Sequence, residues 1–155
     1  MDARIINSLI SAVKSTFNMV LKVEPNIAKP SIAKSIEPKY PIVTVIGFNG
    51  DIDGNLIYSF NKETAIKVVS TMMGMPYENL DELALSALGE LGNMTSGSIA
   101  MELEKNSYTV DITPPTVITG KEIQVTAEGV ILKLPLNIFS EGDFEVHMVI
   151  RGGGK

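Results

Sequence analysis

From Asn106 onward the apolar residues of this chain recur at every second position, and that alternation limits the possible folds more than any other feature. Ile123, Val125 and Ala127 alternate with polar residues, as do Val130, Leu132, Leu134 and Leu136, and again Phe144, Val146, Met148 and Ile150. Successive side chains of a strand point to opposite faces, so a period of two marks strands with one buried face. Antiparallel sheets carry that pattern, whereas parallel sheets, covered on both sides, read as unbroken apolar runs. Residues 109–113 and 117–119, separated by Pro114-Pro115, add two shorter strands. Upstream, residues 43–48 are β-branched, 49–54 have turn chemistry, and 55–60 alternate again, which predicts a hairpin. Asp51 and Asp53 resemble part of a calcium loop. The glycine follows too early, however, and no glutamate stands at the closing position, so the segment reads as a turn.

The remaining segments are helical. Ile5, Leu9, Ala12, Val13, Thr16, Phe17 and Val20 make one apolar stripe over residues 2–21, which Glu24-Pro25 ends. Four prolines between residues 25 and 41 predict loop, with a short strand near 31–36. Asn61 caps a helix over 62–73, closed by Gly74 and Pro76. Asp81, or Asn79 just before it, caps another that extends to about Lys105. The class is therefore α+β: an antiparallel β-sheet with helices packed against it, one domain over residues 1–151. Residues 152–155, Gly-Gly-Gly-Lys, read as a flexible tail.

Composition then removes whole classes of function. A chain of 155 residues, 45% apolar, is long enough to bury a sizeable core. A net charge of −5 argues against nucleic acid and anionic membrane as main partners, but does not bar one specific protein. With no cysteine there is no disulfide, no thiolate nucleophile and no thiolate-bound zinc. His147 is the only histidine, so a catalytic triad or multi-histidine metal site within one chain is excluded. Its place in the alternating run 144–148 suggests the polar side of a strand and a structural role. No segment approaches the roughly 18 apolar residues of a membrane span, so a soluble, cytoplasmic protein is expected.

The most informative segment is residues 80–101. At about 100° per residue, Leu80, Leu83, Ala84, Ala87, Leu91, Met94, Ser98 and Met101 gather on one side, which reads as the core face. Ser86, Glu90, Asn93 and Gly97 form a second line at three- and four-residue spacing. Gly89, Gly92 and Gly97 stand inside the same helix, each costing roughly 1 kcal/mol in propensity relative to alanine. A total near 3 kcal/mol is large against a domain stability of about 5 to 15 kcal/mol, so another backbone must come close. Gly92 points nearer the sheet. Gly89 and Gly97 flank Glu90 and Asn93, where a visitor from outside would approach. A Glu-x-x-Asn pair alone is equally the mark of an ordinary solvated helix face.

Residues 81–97, Asp-Glu-Leu-Ala-Leu-Ser-Ala-Leu-Gly-Glu-Leu-Gly-Asn-Met-Thr-Ser-Gly, resemble the signature of the CheC/CheX/FliY chemotaxis phosphatases: Glu, two residues, Asn, then glycine four further on. Glu90, Asn93 and Gly97 fill those places. Residues 110–117 and 129–136 also resemble the CheX branch, and the order of elements fits nearly the whole chain. A second copy of the signature, as in the CheC branch, is missing: Arg4-Ile5-Ile6-Asn7 has arginine for glutamate, and Ser11 stands where glycine is required.

The resemblance implies a phosphatase acting on the aspartyl phosphate of the response regulator CheY. Asn93 would position the attacking water, and Glu90 would pair with the regulator's active-site lysine. Ser86, Gly89 and Gly97 would let the helix approach closely. No cofactor would be bound by this chain, the regulator's own carboxylates supplying Mg²⁺, and a homodimer joined through the sheets is expected. The alternative is a non-catalytic module that docks on a response regulator or the flagellar switch with the same helix face.

Overall fold

The computed structural model describes residues 2–37 and 39–153. Helix α1 (Ala3–Leu21) is capped by Asp2, whose Oδ1 accepts the Arg4 backbone N–H at 2.8 Å. Two short strands follow, β1 (Asn26–Ile27) and β2 (Ser31–Ala33). Strands β3 (Ile42–Gly50) and β4 (Ile52–Phe60) make the hairpin; their mutual pairing ends at Phe48↔Gly54, so residues 49–53 connect them, in line with the sequence. Gly50 has φ +142°, and a Cβ there would lie 2.3 Å from the Thr109 carbonyl oxygen. The two carboxylates of this turn serve the backbone: Asp51 Oδ2 accepts the Thr109 N–H and Asp53 Oδ1 accepts the Gly50 N–H. Helices α2 (Lys62–Met73) and α3 (Glu82–Lys105) are capped by Asn61 and Asp81, and Gly74 closes α2 in the left-handed conformation. Strands β5 (Val110–Ile112), β6 (Thr116–Thr119), β7 (Val130–Asn137) and β8 (Phe144–Gly153) complete the chain.

All pairings are antiparallel, in the order β1-β7-β8-β4-β3-β5. β2 shares the outer edge of β7 with β1, and β6 shares that of β3 with β5. The main core lies between the helices and one face of this sheet. Leu9, Val13 and Phe17 of α1 and Leu88, Leu91 and Ile99 of α3 meet Ile46, Leu56, Phe60, Leu134, Val146 and Met148. Phe60 stacks on Phe144 at 4.8 Å between ring centroids, and Phe17 meets the same ring edge-on at 5.2 Å. Such aromatic pairs add about 0.5–1.5 kcal/mol beyond the area they bury.

Three expectations are corrected here. The sheet is not buried on one face alone: Ile36, Val43, Ile57, Ile131 and Val149 form a second, smaller core on the side away from the helices. Ile123, Val125 and Ala127 cover that core without forming a strand, since only Val125 bridges, to Ile36. Their period of two comes from lying across an apolar face, not from sheet pairing. Strand β8 runs on to Gly153, which pairs with Ile52, so the first half of the expected tail is part of the sheet. Gly154 and Lys155 fall outside the described residues.

His147 stands opposite Ile57 and Lys133 and is almost wholly buried, at 2% exposure. Its Nε2 lies 4.0 Å from Glu145 Oε1, and the Lys133 and Lys39 amines approach Glu145 Oε2 at 3.6 and 3.7 Å. Burial pushes the His147 pKa below its usual value; Glu145 opposes that shift and Lys133 adds to it.

Candidate functional site

Helix α3 begins where the Asp81 carboxylate accepts the Ala84 N–H at 2.8 Å, with Glu82 favourably placed in the first turn. The side facing the core is Ala84, Leu88, Leu91, Gly92, Thr95, Ile99 and Leu103. This corrects the stripe read from the pattern, because Leu83 and Met101 are 54% and 66% exposed. The helix carries two apolar stripes, and the true one holds a glycine and a threonine that look like gaps. A Cβ on Gly92 would stand 2.9 Å from Thr44 Cγ2, with Ile46 and Tyr58 close behind. Helix and sheet therefore touch almost backbone to side chain. One turn on, Ser96 Oγ and Tyr58 Oη form a buried hydrogen bond of 2.8 Å. Burial pushes the Tyr58 pKa upward, so the phenol stays protonated. At the far end, Asn106 Nδ2 donates to Ser8 Oγ at 3.0 Å, and Arg4 Nη1 donates to the Asn106 carbonyl at 3.2 Å, which fastens the end of α3 to the start of α1.

With that side fixed against the sheet, the opposite side of α3 faces outward and presents the second line of residues. Ser86 and Glu90 are exposed, while Asn93 and Gly97 are half-exposed. Asn93 Nδ2 donates to Glu90 Oε1 at 3.4 Å, which leaves the amide oxygen of Asn93 free toward solvent. At Gly97 an added Cβ would meet nothing within 4 Å, so the surface there is open to an approaching group. Gly89 departs from expectation. It is buried, and a Cβ there would lie 3.3 Å from Val117 Cγ2 and 3.5 Å from Pro115 Cγ. Its missing side chain first serves this chain's own packing, letting the segment before β6 lie against α3.

The sequence pattern presents Pro114-Pro115 as a break between strands and Val117 as the start of a short strand, and places neither beside the site. β6 pairs with β3 through Val117↔Thr44 and Thr116↔Val45, and the Thr113 hydroxyl accepts the Gly47 N–H at 2.8 Å. These bonds hold Pro115 and Val117 against the first turns of α3. Leu83 and Met101 stand exposed on the same outward side as Glu90. Nothing in the sequence distinguished those two from core residues, because both stripes have similar apolar content.

Chemically, the face offers one carboxylate and one primary amide on a convex ridge. Among the described residues no side-chain hydroxyl hydrogen-bonds to Glu90 or Asn93, whose only mutual contact is the Asn93–Glu90 bond. Among the described residues no three His, Cys, Asp or Glu side chains gather closely enough to share a metal ion. A ridge of this kind can complete the site of another macromolecule better than it can enclose a small one.

Comparison with known proteins is consistent across sequence and fold. The family model described as "Chemotaxis phosphatase CheX" matches residues 42–134. The chain is 57% identical over 155 residues to the CheY-P phosphatase CheX of Thermotoga maritima, covering 99% of this chain and all of that protein. A CheC-like superfamily protein from Shewanella sp. PV-4 shares the fold, with a TM-score of 0.88 over 98% of this chain and all of that one, at 23% identity. The CheX–CheY–BeF3–Mg²⁺ complex from Borrelia burgdorferi gives a TM-score of 0.82 at 27% identity, covering 95% of this chain and 97% of that one.

Proposed function

The chain belongs to the CheX family of chemotaxis phosphatases, and on that premise we propose that it hydrolyses the aspartyl phosphate of a phosphorylated CheY-type response regulator through Asn93 and Glu90. The observation that carries this reading is the pair itself. Glu90 and Asn93 stand together on the outward side of α3, hydrogen-bonded to each other, beside the open surface at Gly97.

An acyl phosphate already has a good leaving group, so positioning of the nucleophile is what remains to be supplied. The water oxygen attacks phosphorus, the bond from phosphorus to the aspartyl oxygen breaks, and inorganic phosphate and a free carboxylate result, the water's proton ending on phosphate. Asn93, with an acceptor and two donors and no tendency to react itself, holds that water in line. Glu90 takes the regulator's lysine, and in doing so releases the Asn93 amide for the water. Ser86 and Gly97 keep the approach clear. Mg²⁺ is on this reading the regulator's own, held by its carboxylates, as the composition of the Borrelia complex suggests.

The same reading includes a homodimer joined through the sheet, whose described edges are β1 and β2 on one side and β5 and β6 on the other. It also puts the reaction in the cytoplasm; no described helix is long and apolar enough to cross a membrane. The test follows phosphate loss from a Mg²⁺-bound, phosphorylated chemotaxis regulator. Asn93→Ala is expected to lower turnover about 100-fold or more with binding kept, and Glu90→Ala to weaken both. Binding by wild type without any acceleration would instead favour a docking module.

A further inference from the structure

The outward side of α3 carries more than the Glu90/Asn93 pair. Leu83 and Met101 are 54% and 66% exposed, and Met94, next to Asn93, is half-buried. Among the described residues none of the three is part of either core. At about 100° per residue, Leu83 and Met101 stand about 20° round the helix from Glu90 and Met94 about 40°, all on the side away from Asn93. Ser86, Asn93 and Gly97 lie on the other side of Glu90. The ridge therefore has two parallel lines, one polar and small, the other large and apolar. At about 1.5 Å per residue the apolar row is about 27 Å long, and the middle of the Glu90/Asn93 pair lies about 13 Å from Leu83 and about 14 Å from Met101 along the axis. Single exposed apolar residues are ordinary on a protein surface, but three in one narrow sector of one helix form a row.

We infer that Leu83, Met94 and Met101 are further substrate-contacting residues of the proposed reaction, meeting apolar side chains on the rim of the regulator's phosphoacceptor site while Asn93 enters it. The inference rests on the proposed Glu90/Asn93 site, and position selects the occupant. On that reading the regulator lies over Asn93 to within the width of one water molecule. A protein interface of ordinary size covers about 800 Å² a side, equivalent to a disc of about 16 Å radius. Centred on the pair, that disc takes in both ends of the row, with Met94 near its middle. A second copy of this chain seated on the row would shut Asn93 away from any regulator, so it does not fit the reaction. Methionine suits the contact, because its unbranched, polarisable side chain adjusts to an irregular partner surface. Apolar contacts beside a polar centre also exclude water from the pairing of Glu90 with the regulator's lysine.

Glutamine is close to methionine and leucine in length and helix propensity and adds no charge, so it removes the apolar contact and leaves α3 folded. The experiment measures steady-state dephosphorylation of a Mg²⁺-bound, phosphorylated chemotaxis regulator by five proteins. These are wild type, Met94→Gln, the triple variant Leu83→Gln/Met94→Gln/Met101→Gln, the control Ile32→Gln, and Asn93→Ala. Ile32 is 59% exposed on β2, at the opposite edge of the sheet from β6. The triple variant is expected to raise KM about tenfold or more, and Met94→Gln about threefold, with kcat unchanged. The difference should persist as salt is added, because apolar contact is not screened. An unchanged KM in the triple variant would overturn the inference, and so would a matching rise in Ile32→Gln. A fall in particle mass on sedimentation with KM unchanged would give the row to a second copy, and would overturn it too. Asn93→Ala reads the site separately, through kcat. If it keeps full turnover, the site reading fails, and the affinity of the BeF3-treated regulator for wild type and triple variant then decides the row: a weaker complex with the triple variant upholds the contact, and equal affinity overturns it.

Discussion

Glycine at three positions of one helix serves three different ends, and single substitutions separate them. Gly92 lets α3 sit on the sheet, with Thr44 Cγ2 2.9 Å from where its Cβ would be. Gly92→Val is expected to destabilise the protein by about 1–3 kcal/mol through overpacking, read as a lower urea midpoint. Gly97 has nothing around it. Gly97→Leu is expected to hold or raise stability, by up to about 1 kcal/mol from helix propensity, while regulator binding and turnover fall at least tenfold as the bulky side chain closes the approach. Normal turnover in that variant would remove Gly97 from the docking face. The Glu-x-x-Asn-x-x-x-Gly spacing was legible in the sequence because it depends only on helical periodicity. The role of Gly89 was not, because Pro115 and Val117 reach it from the start of β6 and the residue before it, more than twenty residues away along the chain.

At the scale of elements, the helices were readable almost to the residue. Their boundaries are set by local chemistry: Asp2, Asn61 and Asp81 accept backbone N–H groups that have no partner within the helix, and Gly74 takes the left-handed turn. What local chemistry did not reveal was how α3 is rotated about its axis. That rotation is fixed by contacts with the sheet, of which the Tyr58–Ser96 hydrogen bond is the one side-chain hydrogen bond between α3 and a strand among the described residues. Tyr58→Phe leaves Ser96 without its partner in a dry environment and should cost about 1–3 kcal/mol. Because the bond lies one turn from Asn93, backbone amide exchange in the middle of α3 should speed up along with the loss. Unchanged exchange there would mean that packing at Gly92 alone fixes the helix.

For the molecule as a whole, the second core makes stability depend on pH. His147 is buried neutral among Glu145, Lys133 and Lys39, and its pKa is lowered on folding. The unfolded chain therefore binds a proton that the folded chain resists. The contribution of this residue is complete above the ordinary histidine value of about 6.5 and is lost as pH falls from there toward the depressed folded value, by up to about 1.4 kcal/mol per pH unit. Urea midpoints measured from pH 8 down to pH 5 should fall across that window, and His147→Gln should flatten the profile. An identical profile in the variant would assign the effect to the carboxylates. The sequence by itself determined the α+β class, the helix limits, most strands and the Glu90/Asn93 line, because each follows from periods and caps set within a few residues. Tertiary structure alone decided which stripe of α3 is buried, that both faces of the sheet are covered, and that β6 lies against α3 beside the pair. Those outcomes depend on residues distant in sequence competing for the same apolar surface, and no local pattern records the result.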